Sequence, residues 1–219
     1  MEISKSVLQF RHPFTAIVAG PTSSGKTYLV RKIFQHHYDT IERDSSGPLR
    51  VLWCYGIWQN SYKDPIPGVE MKYTDTLPKE DELRYEKPDI IVCDDMMNEV
   101  KDDSNMSALF TRISHHLNIS IIFIVQNLFF QGKQCRNISL NAHYIILMKN
   151  VRDKNQVNHL ARQFAPGKVS QFINIFNDAT KGERGYIRVD LTTQTPDRFR
   201  IQTNIIPESK GLAPVIYQL

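Results

Sequence analysis

The stretch Gly20-Pro-Thr-Ser-Ser-Gly-Lys-Thr27 decides the fold of this chain. It matches G-x-x-x-x-G-K-[ST], the loop that holds the phosphates in nucleoside triphosphatases. The apolar, β-branched run 14–19 stands directly before it and predicts a buried strand. After the loop, apolar residues recur at helical spacing: Tyr28, Leu29, Ile33 and Phe34. Because the motif requires a strand before it and a helix after it, this context favours a phosphate loop over an ordinary glycine- and serine-containing loop.

The residue types of this loop suit phosphate and magnesium. Gly20 and Gly25 let the backbone turn where a Cβ atom would clash. The loop amides and the N-terminus of the helix, which we expect to begin at Lys26, direct partial positive charge at phosphate. Lys26 is expected to reach the β- and γ-phosphates of ATP, and the hydroxyl of Thr27 to ligate Mg²⁺. The predicted nucleotide-binding residues are Gly20, Pro21, Thr22, Ser23, Ser24, Gly25, Lys26 and Thr27.

Length and composition indicate one globular domain. The chain has 219 residues, 41% of them hydrophobic and 23% charged, as is typical of a soluble domain. We divide it into a lead-in over 1–13, a P-loop ATPase domain over 14–206 and a tail over 207–219 that we expect to be loosely held. No apolar run approaches the ~20 residues that cross a bilayer, so no membrane partner is expected. The three cysteines are scattered, which favours a reducing, intracellular setting over a disulfide framework.

Charge is distributed unevenly along the chain. Residues 39–105 contain 8 lysines and arginines against 16 acids, whereas residues 131–219 contain 13 against 6. The basic C-terminal part is therefore a candidate surface for a polyanion. Ordinary solvation of exposed side chains explains the same excess equally well, so charge alone leaves both interpretations open.

Two carboxylates follow a second buried strand. The stretch Asp89-Ile-Ile-Val-Cys-Asp-Asp95 predicts a strand that ends in a pair of acids. Ligands of open α/β sheets bind at the carboxyl ends of the strands. The pair fits a Walker B element, in which Asp94 positions Mg²⁺ and Asp95 polarises the attacking water. Alternatively, Asp95 only caps a helix that begins at Met96. The phosphate loop earlier in the chain favours the Walker B interpretation.

An amide pair follows a third buried strand. The run 120–125 predicts the strand, and Gln126 and Asn127 come directly after it. Parallel strands place these amides at the same sheet edge as Asp94 and Asp95. Gln126 is expected to hydrogen-bond the γ-phosphate or the lytic water and so to sense the nucleotide state. The alternative is a simple turn, for which Asn is well suited.

The rest of the chain predicts strands and helices in alternation. Further strands are expected at 50–54 and 143–148, and helices at 106–118, 154–164 and 169–176. We interpret 62–88, which is rich in proline, as a long connection with a short extended piece near 71–73. The runs 186–191 and 199–203 flank a turn and predict a hairpin. The predicted fold class is α/β: a P-loop NTPase with a central, mostly parallel sheet flanked by helices, plus a C-terminal β-hairpin.

Two aromatic residues follow the predicted strand 50–54. Tyr55 and Trp58 either stack on a nucleotide base, pack against a neighbouring subunit or cover the edge of the sheet. Packing on the sheet is the most common role of such residues, and we favour it.

Together, these motifs resemble those of viral genome-packaging ATPases of the FtsK/HerA superfamily, in particular the packaging ATPases of Polinton/Maverick elements and adintovirus-like agents. The resembling pieces span nearly the whole chain in the expected order, which makes the combination more specific than the phosphate loop alone. Beyond that loop they are Leu52-Trp-Cys-Tyr-Gly56, 90–95, Ser114-His-His116, 120–129, Ile138-Ser-Leu-Asn-Ala-His-Tyr144, Lys149-Asn-Val-Arg-Asp153 and Thr195-Pro-Asp-Arg-Phe-Arg200.

The resemblance implies an ATPase that translocates double-stranded DNA into a capsid. It implies ATP and Mg²⁺ as cofactors, with Lys26 and Thr27 on nucleotide and metal, Asp94 and Asp95 as Walker B, and Gln126 as the sensor. Its implied partners are double-stranded DNA, a capsid protein and further copies of the chain in a ring of five or six. Its implied location is the host nucleus, a cytoplasmic virus factory or the virion.

Two aspects of the resemblance concern catalysis. Many members of the superfamily carry Asp-Glu at the end of the Walker B strand, where this chain has Asp94-Asp95. The family also implies an arginine finger that reaches a neighbouring subunit, but no motif places it. Its candidates here are Arg112, Arg136 and Arg152, among which we favour Arg152 and then Arg112.

Two other classes of function share a phosphate loop. A small-molecule kinase, such as a nucleoside kinase, would need an acceptor pocket and usually a lid with several arginines, and clustered arginines are absent from the sequence. A non-motor switch would bind nucleotide without fast turnover, which the paired acids and Gln126 argue against. The ATPase rate with and without double-stranded DNA distinguishes these classes.

Overall fold

Strands and helices alternate along the chain, as the apolar pattern predicts. The computed structural model describes residues 7–96, 114–129, 133–207 and 213–219, without the side chains of residues 115 and 133–136. The strands are β1 (Phe10–Arg11), β2 (Thr15–Ala19), β3 (Ile41–Glu42), β4 (Leu49–Tyr55), β5 (Val69–Thr74), β6 (Ile90–Asp94), β7 (Ser120–Val125), β8 (Tyr144–Met148), β9 (Tyr186–Asp190), β10 (Ile201–Thr203) and β11 (Val215–Tyr217). The α-helices are α1 (Lys26–Gln35), α2 (His37–Thr40), α3 (Glu80–Glu86), α4 (Ser114–Leu117), α5 (Lys133–Leu140), α6 (Asn155–Phe164) and α7 (Val169–Ala179).

The strand before the phosphate loop lies at the centre of the main sheet. Nine strands pair in the order β11-β10-β9-β8-β2-β7-β6-β4-β5, while β1 and β3 form a separate pair. The six strands from β8 to β5 run parallel, whereas β9, β10 and β11 are antiparallel to their neighbours. The predicted fold class, an α/β P-loop NTPase with a mostly parallel sheet and a C-terminal hairpin, is confirmed.

Both faces of the sheet are covered by helices. On β2, Ala16 and Val18 pack in one apolar layer with the buried side of α1. Ile17 and Ala19 point the other way and join the layer that contains α6 and α7. Since both faces are buried, the strand reads as a continuous apolar run rather than as an alternating pattern. Because β2 and α1 are both packed in the core, the phosphate loop lies between two rigid elements.

The connection after β4 is more regular than we predicted. Instead of one short extended piece, it contains a 3₁₀ turn at Asn60–Lys63, the strand β5 and the helix α3. β5 pairs with β4 along its whole length and forms the edge of the sheet. Its apolar signal was weak because Glu70 and Lys72 alternate with half-buried residues and face solvent. The helix signal was weak because Leu83 is the buried residue of α3.

The C-terminal segments form the antiparallel end of the sheet. The predicted hairpin is present, with β9 paired to β10 through Val189 and Ile201. The tail is more ordered than expected, because β11 pairs with β10 and the Tyr217 hydroxyl donates to Asp178 Oδ2 at 2.7 Å. The lead-in also contributes to the core, since Phe10 is buried. The domain limits at 13 and 206 remain predictions.

The helix predicted over 106–118 falls largely outside the described residues. The described part contains α4, and two residues, Asn118 and Ile119, separate it from β7. Within the described ranges, we find no helix with the length and apolar character that crossing a membrane requires.

Candidate functional site

Three parallel strands bring the predicted site residues to one edge of the sheet. β2 leads into the phosphate loop, β6 ends at Asp94, and β7 is followed by Gln126. The register pairs Ala19 with Val125 and Asp94 with Ile124, so the three strands end at nearly the same level. A cavity of about 660 Å³ opens at this edge. Its lining includes Thr22, Lys26, Asp94, Asp95, Gln126 and Arg184.

The phosphate loop turns sharply into α1. Gly25, the N-cap of that helix, has φ of 95°, a left-handed conformation that glycine adopts without a Cβ penalty. A Cβ atom on Gly20 would lie only 2.6 Å from the Cβ of Met148 on β8. The ammonium of Lys26 folds back over the loop and donates to the carbonyls of Gly20 at 2.8 Å and Pro21 at 3.0 Å. The helix begins at Lys26, as predicted.

Asp94 is buried at the end of β6 and contacts the helix after the phosphate loop. The Thr27 hydroxyl donates to Asp94 Oδ2 at 3.0 Å. The Tyr62 hydroxyl, from the 3₁₀ turn after β4, donates to the same oxygen at 2.8 Å. Thr27 and Asp94, predicted as the magnesium residues, are thus brought together. Tyr62 was not predicted, since nothing in the sequence relates it to Asp94.

Burial and charge act in opposite directions on the two main ionisable groups. Burial raises the pKa of Asp94, while the hydrogen bonds from Tyr62 and Thr27 and the charge of Lys26 lower it. Burial lowers the pKa of Lys26, which the carboxylates of Asp94 and Asp95 counteract. Burial is the larger effect in both cases, so the pKa of Asp94 is raised and that of Lys26 is lowered, although each group favours the charged form of the other.

Asp95 faces the cavity rather than the core. Its backbone φ is 57°, a left-handed conformation that turns the chain away from the strand direction. Gln126 Nε2 donates to Asp95 Oδ1 at 3.2 Å, so the predicted catalytic acid and the predicted sensor are in contact. Both side chains are exposed. A helix capped by Asp95 would lie mainly in residues 97–113, outside the described part of the chain.

Arg184 lines the cavity although the sequence did not indicate it. It lies in the turn before β9, with φ of 57°, and its side chain packs over the position where Gly25 lacks a Cβ. Its guanidinium stacks on the ring of Tyr28, 4.4 Å from the centroid. Because β9 is antiparallel, the turn before it lies at the same edge as the carboxyl ends of the parallel strands. The signal that could have indicated Arg184 is the predicted hairpin, whose first strand begins two residues later, at Tyr186.

Of the three candidate arginine fingers, the structure describes the side chain of Arg152, which is not part of the cavity lining. Arg152 is exposed after β8, and its backbone amide donates to Asn150 Oδ1 at 3.0 Å. The neighbouring carboxylate of Asp153 accepts from Gln156 Nε2 at 3.0 Å. Arg112 lies outside the described residues, as does the side chain of Arg136.

The arrangement fits a nucleotide with magnesium. The Thr27 hydroxyl and the Asp94 carboxylate are hard oxygen ligands of the kind that Mg²⁺ prefers. No cluster of three or more His, Cys, Asp or Glu side chains suited to a metal occurs within the described residues. Mg²⁺ is usually held by one or two protein groups together with phosphate and water. The loop that would receive the phosphates carries the ammonium of Lys26.

The fold and this site define a P-loop NTPase. No model of a known protein family matches the sequence, and no curated protein sequence matches it. Solved structures do match in fold. The genome packaging NTPase B204 from Sulfolobus turreted icosahedral virus 2, in complex with sulfate, has a TM-score of 0.58 at 11% identity and covers 89% of this chain and 96% of its own.

Two further structures of B204 give the same result. The complex with ATP-gammaS has a TM-score of 0.57 at 12% identity, covering 87% of this chain and 96% of that one. The DNA-packaging ATPase B204 from Sulfolobus Turreted Icosahedral Virus has a TM-score of 0.53 at 12% identity, covering 88% and 97%. At these identities the likeness concerns the fold. It agrees with the resemblance to packaging ATPases that the motifs indicated.

Proposed function

We propose that this protein is an ATPase of the viral genome-packaging kind, which couples ATP hydrolysis to the movement of double-stranded DNA into a capsid. The observation that carries the proposal is the meeting of the phosphate loop, the Thr27–Asp94 hydrogen bond and the Asp95–Gln126 pair at one cavity. The likeness in fold to a packaging NTPase over most of the chain supports packaging above other uses of a phosphate loop. We place this activity in the host nucleus, a virus factory or the virion.

Each side chain has a defined role in the proposed reaction. Lys26 leaves the loop carbonyls and binds the β- and γ-phosphates as a point charge. Thr27 and Asp94 hold Mg²⁺, which when bound neutralises charge on the phosphates. Asp95 accepts a hydrogen bond from the attacking water and takes its proton. Gln126, which donates to Asp95, keeps that carboxylate in place and contacts the γ-phosphate.

The proposed motor needs several copies of the chain. We infer a ring of five or six copies around the DNA, in which an arginine from one copy reaches the γ-phosphate of its neighbour. Arg152 supports this arrangement because it is exposed and outside the cavity of its own chain. Arg112 is the second candidate. Such an arginine is worth on the order of 10³–10⁵ in rate in related phosphoryl-transfer systems.

A mixing experiment tests the arginine in trans. Arg152→Ala with an intact loop and Lys26→Ala with an intact arginine should each be inactive alone. Mixed, they should regain part of the activity, because some interfaces then combine a working loop with a working arginine. Arg112→Ala is tested in the same way. Full activity of dilute wild-type monomer, independent of protein concentration, would refute a trans arginine.

The ATPase rate with and without double-stranded DNA tests the function itself. We expect duplexes of any sequence to stimulate hydrolysis, and DNA binding to weaken steeply with salt, because a packaging motor grips phosphates. The basic excess after residue 131 motivates this expectation. Phosphate transfer to a nucleoside would instead indicate a kinase. Tight nucleotide binding without turnover, with or without DNA, would indicate a switch.

A further inference from the structure

The Tyr62 hydroxyl makes a buried contact with Asp94. Tyr62 lies in the 3₁₀ turn Asn60–Lys63, and only 3% of its surface is exposed. Its hydroxyl is 2.8 Å from Asp94 Oδ2. An ionised carboxylate can only accept, so the single phenolic proton is donated to Asp94. Tyr62 is therefore in direct contact with a side chain to which we assign Mg²⁺.

Two donors converge on the same oxygen of Asp94. Thr27 on α1 and Tyr62 on the turn after β4 both donate to Oδ2, from different elements. Within the described residues, no protein group donates to Oδ1. Rotation of a carboxylate about its terminal torsion is otherwise broad, so two donors on one oxygen define where the other oxygen points. Oδ1 is then the atom available to a metal-bound water.

Aromatic packing holds Tyr62 in place. Its ring stacks on Tyr73, with centroids 5.4 Å apart and planes at 21°, and the Tyr73 hydroxyl donates to the Tyr62 carbonyl at 2.9 Å. Trp53 lies 5.3 Å from the ring on one side and Trp58 5.4 Å on another. Trp58 also lies 5.5 Å from the ring of Tyr73 on the edge strand β5 and is 44% exposed, an arrangement that agrees with packing on the sheet edge. A ring with so many neighbours has little freedom to turn its hydroxyl away from Asp94.

We propose that Tyr62 is a positioning residue that orients the Asp94 carboxylate for Mg²⁺. This inference rests on the nucleotide-binding function proposed above and adds the β4–β5 connection to the site. The same connection contributes Gln59, Ser61 and Asp64 to the cavity lining. Tyr62 acts through Asp94 and contacts neither nucleotide nor metal.

A magnesium titration tests the proposal without relying on hydrolysis. The protein is saturated with a non-hydrolysable ATP analogue, and Mg²⁺ is added while tryptophan fluorescence and the heat of binding are followed. The chain has two tryptophans, and both contact the ring of Tyr62, so their fluorescence reports on this region. In Tyr62→Phe, the Mg²⁺ concentration for half-maximal response should rise about 10-fold, as expected for the loss of a hydrogen bond to a charged group. Affinity for the analogue in EDTA should stay within about twofold.

Tyr73→Phe is the matched control. It removes the hydrogen bond from the Tyr73 hydroxyl to the Tyr62 carbonyl, but it keeps the ring contacts that hold Tyr62 and the contact to Asp94. Its half-maximal Mg²⁺ concentration should match that of the wild type. In an Asp94→Ala background, Tyr62→Phe should cause no further change, because the group on which it acts is gone.

Hydrolysis gives a second readout. At limiting Mg²⁺, the hydrolysis rate of Tyr62→Phe should be about 10-fold below that of the wild type, and it should recover at high Mg²⁺. The reason is that the hydroxyl only orients the Asp94 carboxylate as a ligand of the metal. A wild-type Mg²⁺ response in Tyr62→Phe, an equal shift in Tyr73→Phe, or failure of Tyr62→Phe to fold would each overturn the proposal. A wild-type protein that hydrolyses no nucleotide would count against the proposed function, while the titration would still test Tyr62.

Discussion

The phosphate-loop site and the buried cluster around Arg188 differ in the partners of their polar side chains. Arg188 on β9 is fully buried and donates to the carbonyls of Leu8 at 2.9 Å and Val7 at 3.2 Å, and also to Gln202 Oε1. Its guanidinium lies 4.8 Å from the centroid of the Phe10 ring. At the other site, Lys26, Asp95 and Gln126 make hydrogen bonds within the protein but also face an open cavity.

The difference separates a structural polar cluster from a functional one. Nη1 and Nη2 of Arg188 are bonded to atoms of the protein, so the cluster connects the start of the chain to the antiparallel strands. Asp190 nearby is likewise buried and accepts from Thr192 and Thr195. Lys26, in contrast, is held by loop carbonyls that it can exchange for phosphate. Nε of Arg188 has no partner among the described residues, but its other donors are used within the protein. Buried polar groups bonded to the protein in this way stabilise a fold, whereas those that face a cavity are available to a ligand.

Lys26→Ala should give the largest functional effect. We expect turnover to fall about 10³-fold or more, because a cation on the phosphates is lost, with little change in the free energy of unfolding. Phosphate release and urea unfolding measure the two quantities. Lys168→Ala, which removes an exposed lysine, is the control and should retain wild-type turnover without DNA. Near-native hydrolysis by Lys26→Ala would refute the site.

Arg188→Met should have the opposite profile. We expect the free energy of unfolding to fall by about 2–4 kcal/mol, because buried carbonyl oxygens lose their donors. Hydrolysis per folded molecule should be unchanged, since Arg188 is not among the residues that line the cavity. Urea unfolding and phosphate release at a temperature where the variant is folded test both parts. A loss below about 1 kcal/mol would show that the cluster does not stabilise the protein.

Asp95→Asn should separate binding from hydrolysis. The substitution keeps the volume and removes the carboxylate that accepts the proton, so hydrolysis should fall about 100-fold with ATP affinity nearly unchanged. Asp94→Asn should instead change the dependence on Mg²⁺. Rapid phosphate assays over a Mg²⁺ series distinguish the two variants. If their phenotypes are exchanged, the assigned roles of the two acids are reversed.

Arg184→Ala should give the smallest effect. Its guanidinium is held over Tyr28 beside the phosphate loop, so we expect the affinity for ATP to weaken about 5-fold when this donor is removed. Arg198→Ala is the matched control, because that guanidinium lies 4.7 Å from the Phe199 ring but outside the cavity. Equal affinities of the two variants, measured by calorimetry, would remove Arg184 from the site.

The parallel strands and the phosphate loop could be predicted because their signals are local. β2, β6, β7 and β8 are buried on both faces and read as short continuous apolar runs. The edge strand β5 gives a weaker pattern, since Glu70 and Lys72 face solvent and its other four residues are only half-buried. β11 was missed because three residues give too short a pattern to interpret. The more a strand is buried, the clearer its apolar pattern in the sequence. The central strands could therefore be predicted better than the edge strands.

The sequence by itself determined the class of the protein, the phosphate loop, and the residues Asp94, Asp95 and Gln126 at the edge of the sheet. It could do so because these residues directly follow apolar strands, and parallel strands bring their carboxyl ends together. Only the tertiary structure decided that Tyr62 donates to Asp94, that Arg184 lies against Gly25, and that Arg188 anchors the start of the chain. These contacts join residues far apart in the chain, and their geometry depends on how the whole sheet and its connections pack.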